Sequence, residues 1–585
     1  VAAAQLEAPA MCCRDVFRSF TRRAATGTAA TATLARSIRA VRAKLLSALA
    51  LGVIALVGAS IPSALAGKAA GVPPSALAGK LADAPRSASA ASSLGPVRGD
   101  ARAHTAASRG PSVSAALASL WHSAAITEAA YRQDYSAYVA AKASLAKLSG
   151  TRREELGDVL ANVQAMARAG ELIPSRLPAV FLTLERNRQW WTTEPLLSGE
   201  QRVSFPPSKI VWEHYAGQGI EIQWLGTFGE ANGYYLSGHE NANLRQVLGE
   251  VIPLATQRAG GIAWEYMFDF DGGVPPWTSG LSQGTALQVL SRAWSRFKEP
   301  AYLTAAQQAL GIFETAPPQG VRVKTPVGAM YAEYTYAPSD RILNGFIQAL
   351  VGLYDYTSIT HDPLGLALFE AGDAEARAIV PLYDTGAWSK YDQFGESNLN
   401  YHELLTEFLQ HLCERTSKGE PIPPATTPPP STTPTTTTPT TTTPTTTTPT
   451  TPSETGGVSP SASVSRARAA QTSSQIPGDQ IYCTTAQRFT ADESTPPVIA
   501  LLSKTLPADA RAGVQISLSK IASVKLTVRK GTKVVWTNGA TLERGKPKLL
   551  WITPAKGGTF SIQLTATDLA GNFSTASGTV VVSHH

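Results

Sequence analysis

Apolar positions recur at two different periods along this chain, and the change of period divides it. Helical spacing begins near Ser112, in SVSAALASLWHSAAITEAAYRQDYSAYVAAKASLAKL, and continues in TRREELGDVLANVQAMARAGEL. Residues 182–215 break that pattern, with adjacent Trp190 and Trp191 and proline-interrupted pieces that predict short strands. From Gly217 the spacing predicts paired helices near 217–235, 241–258, 280–297, 300–314, 339–358, 363–380 and 398–416. Successive pairs of this length predict a mainly α fold, an (α/α) toroid or barrel whose inner-helix ends line a central cleft. Periodicity alone fits another helical array equally well.

One stretch concentrates polar chemistry at the start of a helix. In MYAEYTYAPSDRILNGFIQALVGLYDYTSIT (330–360), Tyr331, Glu333, Tyr334 and Tyr336 precede Pro338. Ser339 is a good N-cap, and Ile342, Phe346, Leu350 and Leu353 recur on one helical face. A carboxylate and several phenols on such a loop suit proton transfer to and from carbon, although half-buried tyrosines are also ordinary packing residues.

The end of the chain reads differently. Residues 421–452 are nearly all Thr and Pro, with prolines at 434, 439, 444 and 449, a composition that buries no core and predicts an extended, disordered segment over 418–479. YCTTAQRFTADE then predicts a short helix over 480–496. VQISLS, SVKLTVRKG, KVVWTNG, KLLWITP, GTFSIQLTATD and ASGTVVVS alternate at period two, which predicts a small all-β, Ig-like sandwich over 497–583 with a spacing or adhesive role.

Charge changes the picture only at the front. The net charge is +7, but residues 1–66 hold eight Lys/Arg against Glu7 and Asp15, so the excess gives no case for nucleic-acid binding. Arg36, Arg39, Arg42 and Lys44 before the apolar run Leu45–Ala59, with Ala64-Leu65-Ala66 behind it, predict a signal peptide and a secreted or surface protein. PSALAGK recurs at 62–68 and 74–80, which offers a second cleavage site, and residues 67–112 read as a flexible spacer. Loss of the leader removes Cys12 and Cys13. The two cysteines left, Cys413 and Cys483, are expected to pair in an oxidising compartment and to bring 480–495 back onto the helical domain of 113–417. The nine histidines are scattered without HxxxH or CxxC spacing, and no G-x-G fragment sits in a βαβ unit, so neither a metal nor a nucleotide cofactor is expected.

PPWTSGLSQGTALQVLSRAW (275–294), YAEY with PSDRILNGFIQALVGLYDY (331–356), VPLYDTGAWSKYD (380–392) and LNYHELL (399–405) follow in an order and spacing that resembles the C-terminal domain of D-glucuronyl C5-epimerases. YAGQGIEIQWLGTFGEANGYY (215–235) is similar to the corresponding segment of bacterial relatives. The resemblance covers roughly 180–416 and implies the toroid. It also implies inversion at C5 of glucuronosyl units in a uronic-acid-containing polysaccharide, without a redox cofactor.

Matched motif by motif, the resemblance places the family's Glu-Tyr pair on Glu333 and Tyr334, its YD tyrosine on Tyr391 and its Tyr-His pair on Tyr401 and His402. Gln283 and Asn344 fall at pocket-lining positions, where capping and helix–helix hydrogen bonding are the plainer roles. His402 either orients Tyr401 or is a satisfied core histidine. In animal-type members an arginine follows the YD motif. Here Gln393-Phe394-Gly395 follows, leaving Arg341 or Lys390 to meet the uronate charge. A polysaccharide lyase on the same toroid starts with the same proton abstraction, and a non-catalytic glycan-binding or cell-wall protein would keep the fold alone.

Overall fold

The computed structural model describes residues 110–417 and 480–584. The basic leader, nearly all of the spacer and the Thr/Pro segment lie outside them. Four helices open the described chain: α1 (Val113–His122), α2 (Glu128–Leu145), α3 (Gly150–Ala169) and α4 (Leu177–Thr193). Ser112 and Thr127 cap the first two, their hydroxyl oxygens accepting from Ala115 N and Ala130 N. α4 occupies ground where short strands are expected from sequence. Pro178 fits its first turn, and Leu177, Val180, Phe181, Leu184 and Trp191 all turn inward, so a buried helical face overrides the β-like composition.

A small antiparallel sheet follows, in the order β1 (Arg202–Val203), β2 (Trp212–Tyr215) and β3 (Gly219–Ile222). The helix expected from 217 therefore begins only at α5 (Trp224–Ser237). Gly217 and Gly219 both stand at positive φ, which makes the turn from β2 to β3. A side chain on Gly219 would also collide with Val159 and Asn187. α6 (Asn241–Val251) ends before the expected residue 258. Pro253 falls in a short 3₁₀ turn there, and β4 (Thr256–Arg258) pairs with β5 (Gly261–Ala263).

The remaining helices are α7 (Gly280–Phe297), α8 (Pro300–Ala309), α9 (Gly311–Glu314), α10 (Leu343–Thr360), α11 (Pro363–Ile379), α12 (Leu399–Thr416) and α13 (Gln480–Asp492), with the hairpin β6 (Arg322–Lys324) and β7 (Ala329–Tyr331) before α10. Ser339 is not the cap of α10. That helix starts four residues later, behind Ile342, and has no side-chain cap. Leu343 N instead donates to Tyr391 O, so a distant loop satisfies the first turn. α7 and α10 form the centre. They approach closely because Gly284 and Gly352 face each other's backbone, where a β-carbon would collide. α5 and α12 flank this pair, while α6, α8, α11 and α13 pack outside α5, α7, α10 and α12 respectively. A disulfide joins Cys413 on α12 to Cys483 on α13.

The C-terminal region is β-rich. One sheet runs β12 (Lys533–Leu542), β11 (Ala522–Lys530), β14 (Gly558–Asp568), β15 (Phe573–Ser583) and β9 (Thr505–Pro507); the other runs β13 (Lys548–Ile552), β10 (Arg511–Leu518) and β8 (Ile499–Leu501). Alternate residues, such as Phe560, Ile562, Leu564 and Ala566 of β14, meet Val514, Ile516, Leu549 and Trp551 in a core separate from that of the helices. The two bodies touch through polar groups. Lys520, buried, reaches Asp568 at 2.7 Å and the carbonyl of Asp492 at 2.8 Å, and its ammonium sits over the Trp388 ring. Glu396 accepts from Arg544 Nε at 2.7 Å and from Ile521 N.

Candidate active site

The helical body holds a cleft of about 430 Å³. Its carboxyl centre is Glu333, on the loop between β7 and α10. That loop is pinned on both sides: Thr335 N donates to Thr278 O, Thr278 N to Thr335 Oγ1, and Gly280 N to the carbonyl of Glu333. The Glu333 side chain thus lies against the first turns of α7 and α10, beside Ser279 and Gly345. It is buried, Oε2 has no hydrogen-bond partner, and burial pushes its pKa up to about 8, with a hydrogen bond from Ser279 pulling the other way. A carboxyl of this kind holds its proton at neutral pH.

Three phenols surround it. Tyr334 stacks on Tyr336 at 5.3 Å and packs against Phe270 and Trp277. Tyr391 meets the Tyr401 ring at 4.8 Å and shares a hydrogen bond with Tyr334. Burial raises the Tyr334 and Tyr391 hydroxyls well above the ordinary phenol, and the neighbouring phenols and Glu333 add to it. Tyr391 is held by a tight turn in which Asp392 Oδ1 accepts from Phe394 N and Gly395 N. Tyr401 stands in the first turn of α12, its N–H donating to the N-cap Asn398.

Of the residues singled out from sequence, Glu333, Tyr334, Asn344, Tyr391 and Tyr401 line the cleft together. Asn344 Oδ1 is buried without a partner. Gln283, Arg341 and His402 do not line it. Gln283 sits a layer below, donating to Trp264 O and Thr278 Oγ1 at 3.0 Å each, and so ties the residue after β5 to the segment before α7. Arg341 extends to Glu375 at 3.3 Å. His402 is fully buried and stacked on Trp388 at 3.6 Å. Its Nδ1 accepts from Ser389 N, its Nε2 donates to Phe489 O at 3.0 Å, and burial lowers its pKa to about 4, so it is a neutral packing residue behind Tyr401.

The other wall escaped sequence reasoning. Tyr266, Phe268 and Phe270 line the cleft with Trp277, as an aromatic shelf in which Tyr266 stacks on Trp277 at 4.3 Å. Their i, i+2, i+4 spacing was a legible signal for one face of an extended segment. Glu265, on the alternate face, is buried between Arg176 and Arg258. Glu213 and Tyr215 of β2 and Gln223 complete this wall. Glu200, Asp269 and Asp271 add carboxyl groups, and no Lys, Arg or His is among the described residues lining the cleft.

The cleft thus sets an aromatic shelf beneath phenols and a buried carboxyl on a helical scaffold. Residues 259–422 match the family described as the D-glucuronyl C5-epimerase C-terminus. A D-glucuronyl C5-epimerase of Caenorhabditis elegans is 34% identical over 131 residues, 20% of this chain and 21% of that protein. An uncharacterized protein of Methanocaldococcus jannaschii is 28% identical over 151 residues, 25% of this chain and 49% of that protein. The chain thus matches between a fifth and a half of the length of these relatives.

Proposed function

We propose that the protein is a secreted uronosyl C5-epimerase that inverts glucuronosyl units within a polysaccharide. The observation that carries this reading is the convergence of Glu333, Tyr334, Tyr391 and Tyr401 on one cleft, within the segment that matches the epimerase family. The helices α5, α7, α10 and α12 form the inner row of an (α/α) toroid, with α6, α8, α11 and α13 outside. The two sheets at the C-terminus form an Ig-like module that associates with the cell surface.

The carbon acid lies α to a carboxylate, so removing the C5 proton builds charge on the carboxylate oxygens. Protonated Glu333, Ser279 and the N-terminal ends of α7 and α10 supply donors and positive partial charge for that enediolate, in place of an arginine. The phenols carry protons to and from carbon. No redox cofactor is required, because the electron pair leaves C5 and returns to it.

One observation favours elimination by a lyase. Tyr391 joins Tyr334 by a hydrogen bond and meets the Tyr401 ring, with Glu333 within electrostatic reach of Tyr334 and Tyr391, and abstraction with expulsion of the C4 substituent needs only one wall. Treating a panel of glucuronate polymers and analysing the products by NMR and near-ultraviolet absorbance separates the two. Iduronate without new absorbance supports inversion; an unsaturated uronate refutes it.

A further inference from the structure

Inversion needs a proton carrier on each face of the sugar, and the cluster around Glu333 supplies one. We propose that Tyr215, backed by Glu213, is the second proton carrier of the cleft. The inference rests on C5 inversion as the reaction.

Tyr215 ends β2, and its hydroxyl has two partners: it accepts from Gln223 Nε2 at 2.9 Å and donates to the Glu213 carboxylate. Glu213, 1% exposed, in turn receives Arg202 Nε at 3.3 Å. All three of Glu213, Tyr215 and Gln223 line the cleft. The aromatic shelf separates this group from the other phenols. The Tyr215 ring lies 4.5 Å from Phe268 and 6.2 Å from Phe270, while Tyr334 packs on Phe270 at 5.9 Å. Tyr266 is within electrostatic reach of both Glu213 and Glu333. A sugar ring over Phe270 therefore has the Glu333 cluster on one side and Tyr215 on the other. Burial also raises the Glu213 pKa against the pull of Arg202, which leaves it able to exchange a proton with Tyr215.

The step balances without a co-reactant. Tyr215 passes its O–H proton to the Glu213 carboxylate, which Arg202 holds, as its oxygen takes the C5 proton, and the C–H pair becomes the C5–C6 double bond of the enediolate. As that pair returns to C5, a phenol of the Glu333 cluster gives its O–H proton to the opposite face. The phenolate recovers a proton from protonated Glu333. Glu213 then releases its extra proton to water, and Glu333 regains one from it. The reverse reaction runs the same path with the walls exchanged.

In a two-carrier site, loss of one carrier stops inversion but leaves the other able to remove and return a proton on its own face. The test uses the full chain and its Tyr215→Phe variant, with an alternating glucuronate–N-acetylglucosamine polymer in deuterated water, read by NMR at C5. The wild-type protein is expected to place deuterium in both configurations. Folded Tyr215→Phe should invert roughly 100-fold more slowly while still exchanging one configuration with retention. Glu213→Gln should show the same split, more weakly, and serves if Tyr215→Phe does not fold. Unchanged inversion in both variants, or equal loss of exchange and inversion, overturns the role of Tyr215 and leaves the reaction standing. A wild-type protein that exchanges nothing overturns both.

Discussion

The carboxyl of Glu333 rests on the bare Cα of Gly345: a β-carbon there would collide with Oε2. The first turn of α10 thus shapes the seat of the buried acid, and the glycine keeps that seat open. Gly345→Ala should displace the carboxyl and lower turnover roughly 100-fold, at a cost of about 1–3 kcal/mol in stability from overpacking. Gly249→Ala is the matched control. Nothing stands near that exposed position in α6, so it should be neutral or stabilise by about 0.5–1 kcal/mol. Initial rates and thermal melts of the two variants check both statements.

The proton on Glu333 couples stability to pH. Its pKa is about 8 in the folded chain against 4.5 for an ordinary glutamate, because burial disfavours the charge. Between those values the folded protein holds a proton that the unfolded chain has lost. The contribution is complete below pH 4.5 and is lost as pH rises through 8. Melting temperatures of wild type should fall relative to Glu333→Gln across that window. Parallel curves for the two proteins would show that Glu333 is ionised when folded.

Removing single hydroxyls separates chemistry from packing. Tyr334→Phe and Tyr401→Phe keep the rings that pack at the site, so circular dichroism and melting should stay near wild type. Turnover on the polymer should drop about 100-fold or more. A melt lowered as steeply as the rate would make these tyrosines structural.

The β-rich region should steady the loop that carries Tyr391. Trp388 lies under Lys520, and Glu396 is held by Arg544 and Ile521 N, so both ends of segment 388–396 are gripped from outside the helical body. Arg544→Ala should speed amide hydrogen exchange in that segment several-fold, with α7 unaffected. Mass spectrometry of peptic peptides reads the change; uniform exchange across both would show that the contact does not hold the loop.

The central helices α7 and α10 were legible because their apolar stripes are long and regular, as was the Glu-Tyr loop between them. The first turn of α10 was not. Ser339 has the chemistry of a cap, but the partner that ends up on Leu343 N is the carbonyl of Tyr391, which no local pattern reveals. α4 was read as strand pieces because paired tryptophans and nearby prolines mimic β composition, whereas its buried face appears only once the partner helices are in place. His402 and Gln283 carried polar labels into the site, but their hydrogen bonds run to Phe489, Trp264 and Thr278 behind it. The wall of Glu213 and Tyr215 was hidden because short strands give weak periodic signals and their partners lie far along the chain.

The most direct measurement follows the C5 hydrogen itself. The wild-type protein is incubated with glucuronate polymers in deuterated water and the sugar units are examined by NMR. Deuterium is expected at C5 in a mixture of gluco and ido configurations, with the chain length of the polymer unchanged. Polymers that keep their C5 hydrogen throughout, or that lose the C4 substituent to give an unsaturated uronate, would contradict inversion at C5.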